Sequence, residues 1–138
     1  MAEKKSKESK IIHVAGKRKR AIARVTLKPG KGVVKINKLL LDHYKPEVCR
    51  MRIQEPLFLA GEISKKVDIQ IKVNGGGFNS QADACRTGIG KALVQYNPSL
   101  KPTFLEYDRA LTVSDVRRAE SSKPNDSKPR SCRQKSYR

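Results

Sequence analysis

Apolar side chains occupy every second position from Ala21 to Leu27, where Ala21, Ala23, Val25 and Leu27 are interleaved with Arg24 and Thr26, and with Arg20 and Lys28 just outside. A period of two predicts a strand with one buried face and one cationic face. Pro29-Gly30-Lys31-Gly32 supplies turn residues, and Val33 to Ile36 resumes β-branched character. These two segments are therefore expected to pair as a hairpin. Ile11 to Val14 adds a third strand ahead of them, with Gly16 as a bulge or bend. Pro46 suits the first turn of a helix through Val48, Met51 and Ile53, which Pro56 should break or kink before Gly61 ends the segment. The strongest alternation follows: Val67, Ile69, Ile71 and Val73 are interleaved with Asp68, Gln70 and Lys72, which predicts a half-buried strand.

After Gly75-Gly76-Gly77, Ser80 and Asp83 have the spacing of a capping box. A helix from there to about Tyr96 stacks Ala82, Cys85, Ile89 and Leu93 on one side. Gly88 and Gly90 each cost such a helix about 1 kcal/mol relative to Ala. That loss points to close approach of another backbone, from the sheet or from RNA. Asn97-Pro98 ends the helix. A short helical piece around Thr103 to Tyr107 precedes Asp108-Arg109, read as a salt-bridged turn, and the apolar stretch Ala110 to Val113. No element is expected from Val116 onward. Three strands, a helix, a strand and a helix give an α+β fold, a two-layer sandwich with helices on a single face of one sheet.

Charge changes the picture of the two ends. The chain has 138 residues and a net charge of +18, from 31 Lys+Arg against 13 Asp+Glu. Residues 1–20 and 117–138 each hold eight basic and two acidic side chains, with almost no large apolar ones. Such ends cannot repay ordering entropy by burial and are expected to be mostly disordered on their own. The middle is long enough to fold without staples, since about 100 residues bury roughly 60–68% of their unfolded surface. The expected organisation is a flexible basic extension over 1–10, a globular domain over 11–114 and an extended basic tail over 115–138.

A chain this cationic needs a large polyanionic partner. A membrane arm would need Trp, Phe or Leu on a face opposite its cations, and residues 1–10 and 117–138 have none. No run approaches the about 18 apolar residues of a spanning helix, and residues 1–10 lack the apolar region of a secretory signal. The reading is cytoplasmic, with no membrane partner. Gly16-Lys17-Arg18-Lys19-Arg20 runs straight into a strand, on which Arg20, Arg24 and Lys28 stand about 13 Å apart at four-residue steps. A rigid cationic row suits phosphate oxygens.

Gly75 to Gly77 ahead of a helix could cradle a phosphate, but no Gly-Lys-Ser/Thr follows and no carboxylate cluster stands ready for Mg²⁺. A tight turn, or a turn that also touches an RNA phosphate, is the better reading. His13 and His43 have no partner at a catalytic spacing. Cys49, Cys85 and Cys132 are too far apart for a zinc knuckle or a disulfide framework, and the first two are read as buried small hydrophobes. The chain is read as no enzyme, without cofactor, metal or small-molecule substrate. It has no Trp and 5% aromatic residues, which speaks against stacking single strands. No helix reads as a DNA-recognition helix. Backbone recognition of structured RNA, with tails that order on contact, remains.

Gly16-Lys17-Arg18-Lys19, Ala21-Ile22-Ala23-Arg24-Val25, Glu55-Pro56-Leu57, Val67-Asp68-Ile69 with Gly75-Gly76-Gly77, Lys91-Ala92-Leu93, Tyr107-Asp108-Arg109, Arg117-Arg118 and Gln134-Lys135-Ser136-Tyr137-Arg138 occur in one order. Together they resemble the small-subunit ribosomal protein nine family, from about Ile11 to Arg138, and the Lys-Ser-Tyr-Arg ending resembles its archaeal and eukaryotic branch, with short loops of archaeal type. Val116 stands where the family often has Pro, and residues 120–130 are less basic than usual. The resemblance implies a sandwich like the second domain of ribosomal protein S five. It also implies a place in the small-subunit head, bound to the 3′ domain of the small-subunit rRNA beside neighbouring head proteins. Carried onto this chain, it implies a tail whose Lys135, Ser136, Tyr137 and Arg138 contact P-site tRNA. Charge and resemblance together mark Lys17, Arg18, Lys19, Arg20, Arg24, Lys28, Gly75, Gly76, Gly77, Arg109, Arg117, Arg118, Lys128, Arg130 and Arg133 as rRNA-binding. The competing readings are a non-ribosomal RNA chaperone and a small phosphotransferase built on the Gly75–Gly77 turn.

Overall fold

The two alternating runs become the two central strands. In the computed structural model, which describes residues 11–124 and 129–130, β1 is Ile12–Arg18, β2 Ala21–Pro29, β3 Val34–Ile36, β4 Leu39–Leu40 and β5 Val67–Asn74. The helices are α1 Glu47–Ala60, α2 Phe78–Tyr96 and α3 Leu100–Tyr107, with short 3₁₀ turns at Leu41–His43, Gly61–Lys66 and Arg109–Leu111. The sheet order is β1-β2-β5-β3-β4. Ala21, Ala23, Val25 and Leu27 of β2 and Val67, Ile69, Ile71 and Val73 of β5 are all buried, and they face the helices. This is the expected α+β sandwich, with one short strand, β4, added at the edge.

The expected hairpin between β2 and β3 does not form. β5 lies between them, antiparallel to β2 from Ile22↔Asn74 to Pro29↔Val67 and parallel to β3 from Val34↔Ile69 to Ile36↔Ile71. The reason is length and burial. β5 offers β2 eight paired residues with a complete apolar face, whereas β3 has three residues in all. The Pro29–Gly32 segment is instead a wider connection tied to β5, because the Asp68 carboxylate accepts from the Lys31 and Val33 N–H groups at 2.8 and 2.9 Å. Those bonds hold the Asp68 carboxyl below the usual carboxylate range.

The hairpin that does form is β1 to β2, with Arg18 opposite Ala21 and a two-residue turn at Lys19-Arg20. β1 runs through Arg18, so the basic run 16–20 is ordered, contrary to the expectation for the first twenty residues. Gly16 is not a bulge, since it pairs in regular register with Ala23. Its role is contact: a Cβ there would meet the Gly88 nitrogen at 2.6 Å and the Ala84 carbonyl oxygen closer still. Gly88 in turn leaves room for Val25, and Gly90 for the Leu111 carbonyl. The two glycines of α2 thus let a strand and the final 3₁₀ turn approach its backbone.

α1 continues through Pro56 to Ala60, correcting the expected break. A helical proline removes one backbone bond, but Pro56 is buried with Cys49, Ile53 and Ala60 on one face, and that packing against α2 outweighs the loss. α2 begins at Phe78 behind Gly77, so Ser80 lies inside the first turn and is not a cap. Leu100 and Phe104 anchor α3 in the core. Cys49 and Cys85 are buried as small hydrophobes, and burial pushes the Cys85 thiol up to about 12. Asp108 pairs with Arg86 of α2, at 2.7 Å, in place of the expected partner Arg109. No helix or strand follows Leu111 among the described residues.

Candidate nucleic-acid interface

Among the described residues, helices cover one face of the sheet and the other is open. On the open face Arg24 of β2 pairs directly with Lys72 of β5, and both are exposed. Their Cα atoms are about 5 Å apart in such a pair, and like charges placed so are destabilising on their own. Lys28 continues the row on β2 and Lys35 of β3 extends it across the sheet, opposite Gln70. The one acid on this face among the described residues is Asp68, opposite Lys28, whose Oδ1 accepts from two backbone N–H groups. A shallow groove lined by His13, Arg24, Thr26, Lys28, Gln70 and Lys72 runs along it. The arrangement can bind a row of phosphates, each contact releasing counterions.

The second part of the site is the β1–β2 turn. Lys19 takes a positive φ of 52° there, and Lys19 and Arg20 are exposed. Gly75 and Gly76 pack directly against it, with positive φ of 77° and 67°. A Cβ at Gly75 would lie 2.6 Å from the Arg20 carbonyl oxygen. Gly75 and Gly76 therefore have a structural reason, whereas a Cβ at Gly77 would meet no atom within 4 Å. The turn also brings exposed backbone beside two exposed cations, joining two motifs more than fifty residues apart.

Other expected site residues sit in ion pairs. Arg18 reaches Asp83 of α2 at 3.6 Å and also bonds Asp115, and Asp115 is held again by Arg117 at 2.8 Å. This cluster fastens the start of the C-terminal segment to the β1–β2 turn. Arg86 joins Glu55 of α1 at 2.6 Å to Asp108. Burial works against the Arg86 charge, but the Asp108 and Glu55 carboxylates outweigh it and its pKa is raised. Arg109 and Arg118 are exposed, and Arg130 meets Glu120 at 3.0 Å at the surface. Lys128, Arg133, Lys135, Ser136, Tyr137 and Arg138 lie outside the described residues, as does Cys132.

Three cations escaped the sequence reading of the site. Lys72 and Lys35 were legible as outward positions of strands, but which strand neighbours which was not. Lys91 of α2 is bonded to Ser114, and partial burial, then nearby Lys17, lowers its pKa. Among the described residues no cluster of His, Cys, Asp and Glu could hold a metal ion, and no helix is long and apolar enough to cross a membrane.

Residues 16–138 match the family described as ribosomal protein S9/S16. The small ribosomal subunit protein uS9 of Methanococcus maripaludis strain C7 is 50% identical over 133 residues, which cover 94% of this chain and 99% of that protein. The uS9 protein of Methanococcus vannielii is 48% identical over the same shares.

Proposed function

The chain belongs to the ribosomal protein S9/S16 family, in its archaeal type, and is a structural protein of the small ribosomal subunit; from that premise we propose that it binds the 3′ domain of the small-subunit rRNA, in the subunit head in the cytoplasm, and that its C-terminal tail contacts P-site tRNA. The observation that carries the rRNA reading is the Arg24–Lys72 pair. A sheet that sets two cations side by side on its open face, where Asp68 stands opposite Lys28 and not opposite either of them, is arranged for an anion that arrives from outside. Arg24 and Lys28 would take phosphates on the sheet face. Lys17, Lys19, Arg20 and the Gly75–Gly77 backbone would do so at the turn, and Arg109, Arg117, Arg118, Lys128, Arg130 and Arg133 along the C-terminal segment. Arg18, held by two carboxylates, would act mainly by aiming that segment.

The tRNA contact rests on the residues Lys135-Ser136-Tyr137-Arg138, where a planar guanidinium can fork onto a phosphate. The proposed organisation is a globular part over 11–114 and a basic tail over 115–138 tied at Asp115. The family assignment makes the chain no enzyme, and in the Gly75–Gly77 turn the first two glycines are accounted for by packing on Arg20 and Ala21. The test is sedimentation of small subunits after a high-salt wash. A head protein built into folded rRNA stays with the subunit, and a chaperone bound by charge alone is released.

A further inference from the structure

The molecule has a second exposed surface whose chemistry is opposite to the sheet face. A groove of about 470 Å³ runs between the β3–β4 edge and the C-terminal half of α1, lined by Val33, Leu40, Leu57 and Phe58. Phe58 is 76% exposed although it sits on a helix and not on a loop. Leu41 closes the floor from the core. Among the described residues β4 pairs with β3 alone.

The rim is acidic. Asp42 and Glu62 line the groove with one cation, Lys65, which pairs with Glu62 at 2.8 Å, so Asp42 is the lining charge left over. On a chain of net charge +18, a lining of two acids and one cation is locally acidic. Exposed apolar surface rimmed by charge marks a protein contact. We propose that the Phe58 groove docks a segment of another small-subunit protein, in which an apolar side chain enters beside Val33 and Leu57 while a flanking Lys or Arg meets Asp42. Charge complementarity selects that occupant: proteins that share an RNA carry the cations that neutralise phosphates, so their free segments are basic. The inference rests on the chain's place among other proteins of the small subunit and not on the tRNA contact.

The test introduces the photo-crosslinker Phe58→p-benzoylphenylalanine into the full chain, assembled into small subunits. Irradiation should join it to one peptide of a different subunit protein, carrying an apolar residue next to Lys or Arg. Asp42→Lys should lower the yield about fivefold, the scale of one kcal/mol of exposed ion pairing. Asp42 is exposed on the 3₁₀ turn and its side chain holds no ion pair among the described residues. Crosslinks to RNA, crosslinks to a second copy of this chain, no crosslink in assembled subunits, or a yield indifferent to the charge reversal would each overturn the proposal. Sedimentation of the probe-bearing chain reads its place in the subunit separately.

Discussion

Arg24 stands directly across from Lys72 on the uncovered face of the sheet, two exposed cations in one antiparallel register. In the protein alone that pairing opposes folding, so replacing both with Gln should leave stability unchanged or raise it by about 0.2–1 kcal/mol. Urea unfolding measures this. A loss of stability would show that the pair serves the fold and not a partner.

Gly16 gives the opposite kind of prediction. Its missing side chain is the space in which β1 lies against Ala84 and Gly88 of α2. Gly16→Ala should destabilise by about 1–3 kcal/mol or more, because two backbones must separate. Thermal unfolding of this variant beside Gly61→Ala separates crowding from backbone strain, since a Cβ at Gly61 meets no atom within 4 Å but takes a positive φ of 53°.

Asp108 links acid stability to the Arg86 cluster. Burial raises its pKa, but the Ala110 N–H and the Arg86 guanidinium outweigh burial and hold it below the ordinary 3.8. A carboxyl with a folded pKa below its unfolded value contributes stability above the unfolded value and loses it as pH falls through the folded one. Asp108→Asn should therefore cost about 1 kcal/mol at pH 7, discounted for the partial exposure of the carboxylate. The difference from the unsubstituted chain should shrink below about pH 4. Denaturant titrations at pH 7 and pH 3 check both values.

Arg18 and Asp115 fasten the C-terminal segment to the β1–β2 turn. Arg18→Gln should hasten trypsin cleavage after Arg117 and Arg118 at temperatures where the domain stays folded, and should also lower the melting temperature, since the guanidinium is four-fifths buried between Asp83 and Asp115. Equal cleavage rates would remove the latch from the account.

For the tail itself, deleting residues 135–138 should leave the melting temperature unchanged and speed the dissociation of tRNA from the P site of subunits that carry the chain. Unaltered tRNA dissociation would refute the tail contact.

What could be read from the sequence was whatever is local. The alternation in β2 and β5, the length of α2 and the burial of Cys49 and Cys85 follow from period and composition. The sheet order does not, because β5 displaces β3 from β2 through contacts some forty residues apart. The β1–β2 turn was missed because it is built from Lys19-Arg20, whereas turn chemistry drew attention to Pro29–Gly32. Pro56 misled because a helix rule was outweighed by burial against α2. Of the site, the cations on β2 were legible from alternation. Lys72 was not, since its partnership with Arg24 exists only in the sheet, and Arg18 looked like a phosphate contact until Asp83 and Asp115 were placed beside it.

The claim that the open sheet face is an rRNA surface is tested most directly by the salt dependence of binding to a transcript of the small-subunit rRNA 3′ domain. For the unsubstituted chain, log affinity should fall linearly with log salt, and Arg24→Gln with Lys72→Gln should reduce that slope by about 0.7 to 0.9 for each cation removed. A slope the double variant leaves unchanged would contradict it.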